Sequence, residues 1–374
     1  MTDSTKHDRD RTRVGQRRPL ERFARFCLLS LLGCSGLFGC SAPVTRDLDT
    51  PALIWPLPPA PPRFELEPPL IALEIPTGFF GRLGRAILGS PQGLKLDRPT
   101  GLSFTPSGDL AFVDQGVNRV YVCDLNGRIE REIDLGRAGI EEAVDVVVDS
   151  TGALYVTDPR RGRVVRFDPK DDEAWTEIEI GGRPTSIAFD RTRDAIVVVD
   201  TLTPAIVTID RTTFTLLPGA PATDGPPLWN RPVWVTPSSA GGVWVVDALN
   251  FRVCRVEGAG AVAACFGRLG DGPGTFARPR GVAEDDAGRV YVVDALFGNC
   301  QVFDEAGQLL LAIGSRGSGA GEMLLPSDIA IDGDTIAITD SYNRRIQIFR
   351  RLPPPAPAAA VAARSNEERE GQVP

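Results

Sequence analysis

Few side chains in this sequence can do acid–base, nucleophilic or metal chemistry. The 374 residues contain one histidine, His7, in a basic leader. Beyond it, a Ser-His-Asp nucleophile, a histidine-ligated zinc and histidine acid–base catalysis are all excluded. No Cys-x-x-Cys-His, no Walker loop and no Gly-x-Gly-x-x-Gly after a strand is present. Carboxylates and cysteines remain. Six aspartates, Asp114, Asp158, Asp200, Asp247, Asp294 and Asp340, recur at steps of 44, 42, 47, 47 and 46 residues. They could ring a metal or cap turns, but six carboxylates on six separate repeats cannot share one ion. An Asp that closes a strand and accepts N–H groups from the following turn explains the spacing without a ligand. Cys254 and Cys265 flank a hairpin centred on Ala259-Gly260, which pairs 254 with 265 and 256 with 263. Two readings stay open there, a disulfide in an oxidising compartment or two small buried thiols. Cys123 and Cys300 read as buried thiols.

These residues need elements to hold them. Each recurring aspartate ends an alternating apolar segment such as Val245-Val246-Asp247, followed by a four-residue turn and a second alternating run such as Arg119-Val120-Tyr121-Val122-Cys123. A second acid follows the first by ten residues in five copies: Asp124, Asp168, Asp210, Glu257 and Asp304. Alternation rich in Val, Ile, Phe and Tyr is a strand pattern. Another strand precedes each corner. It is opened by Arg98-Pro99, Arg183-Pro184, Arg231-Pro232, Arg278-Pro279 and Leu325-Pro326, while the second repeat has Glu142-Ala143 instead. Proline is tolerated at a strand's first residue, where no ladder donor is needed. Each repeat therefore supplies four strands, a to d, and a period in the forties is that of propeller blades. The expectation is an all-β, six-bladed β-propeller.

The pattern Pro-x-Gly-Val…Gly-x-Val-Tyr-Val-x-Asp, carried most fully by Arg278 to Gly307, resembles the NHL repeat over roughly residues 70–350. The sequence departs from it at Asn299-Cys300, where that family often has Arg-Val. The resemblance implies six blades. It implies little about activity, because the fold serves scaffolds, RNA binders and enzymes alike. Propeller lyases that act through histidine are excluded by the histidine count. Sugar-lactonase-type propellers present several Glu, Asn and Asp ligands for Ca²⁺ at the innermost strands. Here those positions are Gly101, Asp145, Ser186, Trp234, Gly281 and Asp328, so only Asp145 and Asp328 could contribute. No cofactor is expected, with Ca²⁺ at those two aspartates as the alternative.

The ends of the chain carry other signals. Arginines lead into Phe26–Phe38, an apolar run too short to span a membrane as a mature helix, which reads as a signal peptide over 1–39. Leu37-Phe38-Gly39-Cys40 resembles a bacterial lipobox. That implies acylation of Cys40, and Ser41 after it implies the outer membrane, facing the periplasm or the cell surface. Residues 40–69 are proline-rich and read as a tether. Trp55 and Phe64 within it are unusual for plain spacer and could dock on the propeller. The sixth repeat stops at Ile346-Gln347-Ile348-Phe349 before a proline cluster and lacks its outer strand. The strand Leu70-Ile71-Ala72-Leu73-Glu74-Ile75 is expected to close that last blade from the N-terminal side, which removes an open edge. The propeller is thus expected over 70–351. Phe79, Phe80, Leu83, Ile87 and Leu88 would pack on one face, as in a short helix, and 352–374 would be a disordered tail.

The resemblance to NHL propellers implies that the b–c turns and the loops between blades share one rim, the top face. Leu249, Phe251, Leu296, Phe297 and Tyr342 gather at its turn tips on blades 4 to 6, with Trp229 in the loop entering blade 4. Apolar tips on neighbouring blades suggest a recognition patch, and packing between blades would explain them as well. Arg280 and Arg344 could rim such a patch. The formal net charge is −8, which disfavours nucleic acid as partner. The expected function is that of a lipid-anchored binding or scaffold protein of the cell envelope, holding a protein or peptide on the top face. A Ca²⁺-dependent, lactonase-like hydrolase with its site in the central channel is the alternative.

Overall fold

Strand, turn, strand, repeated with an apolar face on each strand, folds into six antiparallel sheets arranged around one axis. The structure is a computed structural model and describes residues 53–57, 60–61, 63–74, 93–203, 205–218, 229–257 and 261–353. Blade 1 is Pro99–Phe104, Leu110–Asp114, Arg119–Cys123 and Ile129–Asp134, from the axis outward. Blades 2 to 5 repeat this order, beginning with Val146–Val148, Pro184–Asp190, Pro232–Pro237 and Pro279–Glu284. Blade 6 runs Ile329–Asp332, Thr335–Asp340 and Arg345–Arg351. Among the described residues no helix is long and apolar enough to cross a membrane.

The apolar clusters lie between sheets rather than inside one. One joins Val113, Val122 and Ile133 of blade 1 to Val146, Val156 and Phe167 of blade 2. Another joins Trp244 and Val253 of blade 4 to Val290 and Phe303 of blade 5. Each strand turns alternate side chains to the two neighbouring blades, so both faces of a blade are buried and the strands read as nearly continuous apolar runs.

The last blade is closed from the N-terminal side, as expected, but most of the pairing lies upstream of Leu70. Phe64–Leu66 pairs antiparallel with Arg345–Arg351, and Ile54–Trp55 adds a fifth strand outside it. Sheet therefore begins inside the stretch read as tether. Phe64 is 2 % exposed and meets Tyr291 edge-on at 6.2 Å, in the cluster between blades 5 and 6. Trp55 meets Phe349 at 5.5 Å. The alternation Phe64-Glu65-Leu66 gives one apolar face where Phe349 and Ile338 need cover, and this favours it over the following segment. Of the expected segment, Leu70 does continue this pairing, exchanging both backbone hydrogen bonds with Ile346 at 2.9 Å, and the residues after it do different work as far as they are described. Ala72–Leu73 pairs with Leu94–Lys95, and Leu70 and Leu73 wedge the seam between blades 6 and 1. The lipobox, the apolar segment after Ile75 and the tail beyond Pro353 lie outside the described residues.

The recurring aspartates are buried corner pieces that do more than cap a turn. Asp294 accepts N–H bonds from Leu296 (2.9 Å) and Phe297 (3.0 Å) in its own turn. It also accepts from Ala277 (2.8 Å) and Arg278 (2.9 Å) in the loop entering the blade. Asp114 holds Asp97, Arg98 and Gly116 likewise, and Asp200 holds Arg183 and Leu202. Four of the second acids cap the outer turns: Asp124 accepts from Asn126 and Arg128, and Asp168, Asp210 and Asp304 accept from Lys170, Thr213 and Gln308.

Cys254 and Cys265 are directly paired across strands of blade 4, their Cα atoms 4.1 Å apart, and they form a disulfide. The register expected beyond them slips by one residue. A bulge between Arg255 and Val256 pairs Val256 with Val262.

Candidate functional site

The axial positions are the third residues of strand a in blades 1, 3, 4 and 5, and the residue just before strand a in blades 2 and 6, where six strands approach one another. Two are glycine for a steric reason. A Cβ on Gly101 would run into the carboxylate and Cα of Asp145, and one on Gly281 would lie 2.7 Å from the Cα of Asp328. Both aspartates are buried and reach to the next blade around the ring. Asp145 Oδ2 accepts from Ser186 Oγ (2.8 Å) and the Ile187 N–H (2.9 Å) of blade 3, and its Oδ1 accepts from the Val146 N–H (2.8 Å). Ser186 Oγ in turn accepts from the Val235 N–H of blade 4 (3.2 Å). Asp328 Oδ2 accepts from the Leu102 N–H of blade 1 (2.8 Å), and its Oδ1 from the Ile329 N–H (2.8 Å). These carboxylates are inter-blade clasps.

Their surroundings disfavour charge. Burial pushes Asp145 up to about 7 against the pull of its three donors. Burial, and then the neighbouring Asp145 charge, hold Asp328 well above the usual carboxylate range. A Ca²⁺ cage does not fit here. Each of the four carboxylate oxygens already takes a protein donor, and no group of three or more His, Cys, Asp or Glu able to hold a metal occurs among the described residues.

A folded pKa raised above the unfolded value stabilises the fold by keeping the carboxyl neutral. That contribution is complete below the unfolded value, near 4, and is lost as pH rises through about 7. Stability is therefore expected to fall between pH 5 and pH 8, and less so in Asp145→Asn, which is neutral throughout. Denaturant midpoints of both proteins at the two pH values check this. Equal losses in both would remove the assignment.

Trp234 divides the channel. It alone lines both a cavity of about 150 Å³ below, which the clasp aspartates border at its upper end, and a mouth of about 510 Å³ opening on the top face. The mouth is lined by Arg183, Arg231, Arg278 and Arg280 together with Leu249 and Phe251. Arg280 lies over the Trp234 ring, its guanidinium carbon 5.5 Å from the ring centroid, in a cation–π contact. Burial first, and then the Arg278 and Arg231 charges, lower its pKa to about 10, with Asp328 opposing them. Arg183 faces Glu142 across the mouth at 3.7 Å. Arg231 stands before a proline with φ +68°, a left-handed conformation disfavoured for a residue with a side chain.

Of the residues expected on the top face, Leu249, Phe251 and Arg280 come together at this mouth. Leu249 is 49 % exposed, while Phe251 also packs against the cluster between blades 4 and 5. Trp229 must be corrected: it is buried among Val235, Val245 and Cys254 between blades 3 and 4, and presents no face. Leu296 and Tyr342 are exposed tips, Phe297 is half-buried, and Arg344 pairs loosely with Asp97 at 3.7 Å. None of these four lines the mouth. Arg183, Arg231 and Arg278 were missed as site residues. Their signal was in the sequence, in the repeated Arg-Pro that opens strand a. The corner aspartates fix the backbone of Arg183 and Arg278 directly, and that of Arg231 through its neighbour Asn230.

Comparison with known proteins agrees with the architecture. The model of the DUF5128 family, described as a 6-bladed beta-propeller, matches residues 275–349. No curated protein matches the sequence. Similar solved structures include virginiamycin B lyase from Staphylococcus aureus (14 % identity, 77 % of this chain and 100 % of that one, TM-score 0.53). An auxiliary nutrient binding protein from Bacteroides ovatus is also similar (16 %, 69 % and 70 %, TM-score 0.55). So is a gluconolactonase from Xanthomonas campestris (16 %, 81 % and 98 %, TM-score 0.52). At such identities the likeness speaks for the fold alone, and it is that of a six-bladed β-propeller.

Proposed function

We propose that the chain is a non-enzymatic binding module of the cell envelope, anchored through an acylated Cys40, which holds a protein or peptide in the mouth on its top face. The observation that carries this reading is the mouth itself: a concave site of about 510 Å³ that combines Leu249, Phe251 and Trp234 with four arginines. Its size is that of ligand sites in general, and aromatic, aliphatic and arginine side chains are the usual anchors of an interface. The lower cavity, at about 150 Å³, is too small for a peptide, and its two carboxylates are committed to holding blades together. A binding role also has precedent in the fold, in the Bacteroides nutrient-binding protein. The sequence signature at Cys40 supports the anchor, and the NHL-like repeat supports a scaffold role.

The test compares capture from solubilised membranes by the wild type, Leu249→Asp and Leu296→Asp. Leu249 and Leu296 are both exposed, so neither change should unfold the protein. Loss of the partner with Leu249→Asp, and retention with Leu296→Asp, is expected. The reverse pattern would move the site off the mouth. In the same cells Cys40→Ser should shift the protein from the membrane to the soluble fraction. Persistence in the membrane would end the anchor assignment.

A further inference from the structure

We infer that the mouth is a receptor for carboxylates, and that its ligand is an acidic peptide segment in which carboxylate and apolar side chains alternate. This rests on the mouth being the binding site and adds what it binds. Arg231, Arg278 and Arg280 converge there, close enough for Arg231 and Arg278 to depress the ionisation of Arg280. Among the described residues, no ion pair joins any of the three to a carboxylate. Arg280 stacks on Trp234. Like charges gathered on a concave surface repel one another and are relieved by an anion, which field focusing in a cleft attracts even though the whole chain carries −8. Arginine forks match carboxylates in bidentate geometry.

Two features favour a peptide carboxylate over a phosphate group. Leu249 and Phe251 lie among the arginines and offer apolar contact between the charges. The loop N–H groups that could form a phosphate nest, those of Ala277 and Arg278, already donate to Asp294.

The experiment titrates the purified full-length chain calorimetrically with a terminally blocked Glu-Leu-Glu-Leu-Glu peptide and with its Gln-for-Glu counterpart. The acidic peptide should bind about tenfold or more tightly than the neutral one, and Arg278→Gln and Arg280→Gln should each remove about tenfold. Affinity should fall as salt rises, because the contacts are charged and partly exposed. Inorganic phosphate should compete no better than succinate, also a dianion. Unchanged melting temperatures confirm that the variants are folded. Should Arg280→Gln perturb the stack on Trp234, Arg278→Gln, which is exposed, carries the test. Equal binding of the two peptides, or no effect of either arginine, would overturn the inference. So would phosphate displacing the peptide where succinate does not. If the neutral peptide binds as well and Leu249→Asp abolishes capture, the mouth stands as the site and only its charge preference falls.

Discussion

Phe64→Ala is expected to lower the unfolding free energy by about 3–5 kcal/mol, the range for removing a buried phenyl ring from a packed core. Phe64 is nearly inaccessible and packs edge-on against Tyr291 within the cluster of blades 5 and 6. Its loss leaves a cavity at the seam and loosens the short pairing of Phe64–Leu66 with Phe349–Arg351. The exposed Leu57 serves as control, and Leu57→Ala should change stability by no more than about 0.5 kcal/mol. Equilibrium urea denaturation of both variants measures the difference. A Phe64→Ala protein as stable as wild type would mean that blade 6 closes without its N-terminal strand.

The second large effect is placed at a corner. Asp294→Ala removes the acceptor of four backbone N–H groups, those of Leu296, Phe297, Ala277 and Arg278. Leaving donors unsatisfied costs about 1–3 kcal/mol for a fully buried one, less where water can enter. A loss of about 3 kcal/mol is therefore expected. Because Arg278 hangs from this corner, peptide affinity at the mouth should fall as well. Asp294→Asn keeps an acceptor oxygen and should recover part of both. Thermal melts and calorimetric titration read the two effects separately. A destabilised variant with unaltered affinity would show that Arg278 is positioned by something other than its corner.

The fold was legible because propeller repeats are local. Each corner, hairpin and strand sits within one stretch of some forty residues, and alternation plus turn chemistry specifies it. The corner aspartates could be read as structural from spacing alone. The closing strand was harder, because Phe64–Leu66 and Leu70–Ile75 are both short, apolar and near a proline stretch. The choice depends on which surface Phe349 and Tyr291 leave uncovered, and that surface exists only once the ring is built. The site was half legible. Apolar turn tips drew attention to blades 4 to 6, but whether a tip faces the axis or the periphery depends on the path of the loop. Trp229 was lost to the core in that way, while Leu249 and Phe251 reached the mouth. Arg-Pro was visible as a strand opener, and its recurrence also sets arginines around the axis, a relation that appears only when equivalent positions are wrapped into a circle. The hairpin at Cys254–Cys265 was placed correctly at the sulfurs and lost register at a bulge that pattern alone does not reveal.

Blade 6 is woven from the two ends of the propeller, since Phe64–Leu66 lies alongside Arg345–Arg351. During synthesis the early partner emerges first and must wait for Arg345–Arg351 until the five intervening blades have followed. The other five sheets can assemble one after another from neighbouring hairpins, but this one joins segments at maximal separation, the kind of contact that forms slowly. The latch therefore snaps shut last, and any truncated product ending short of Arg345 carries five sheets and a seam still open to solvent.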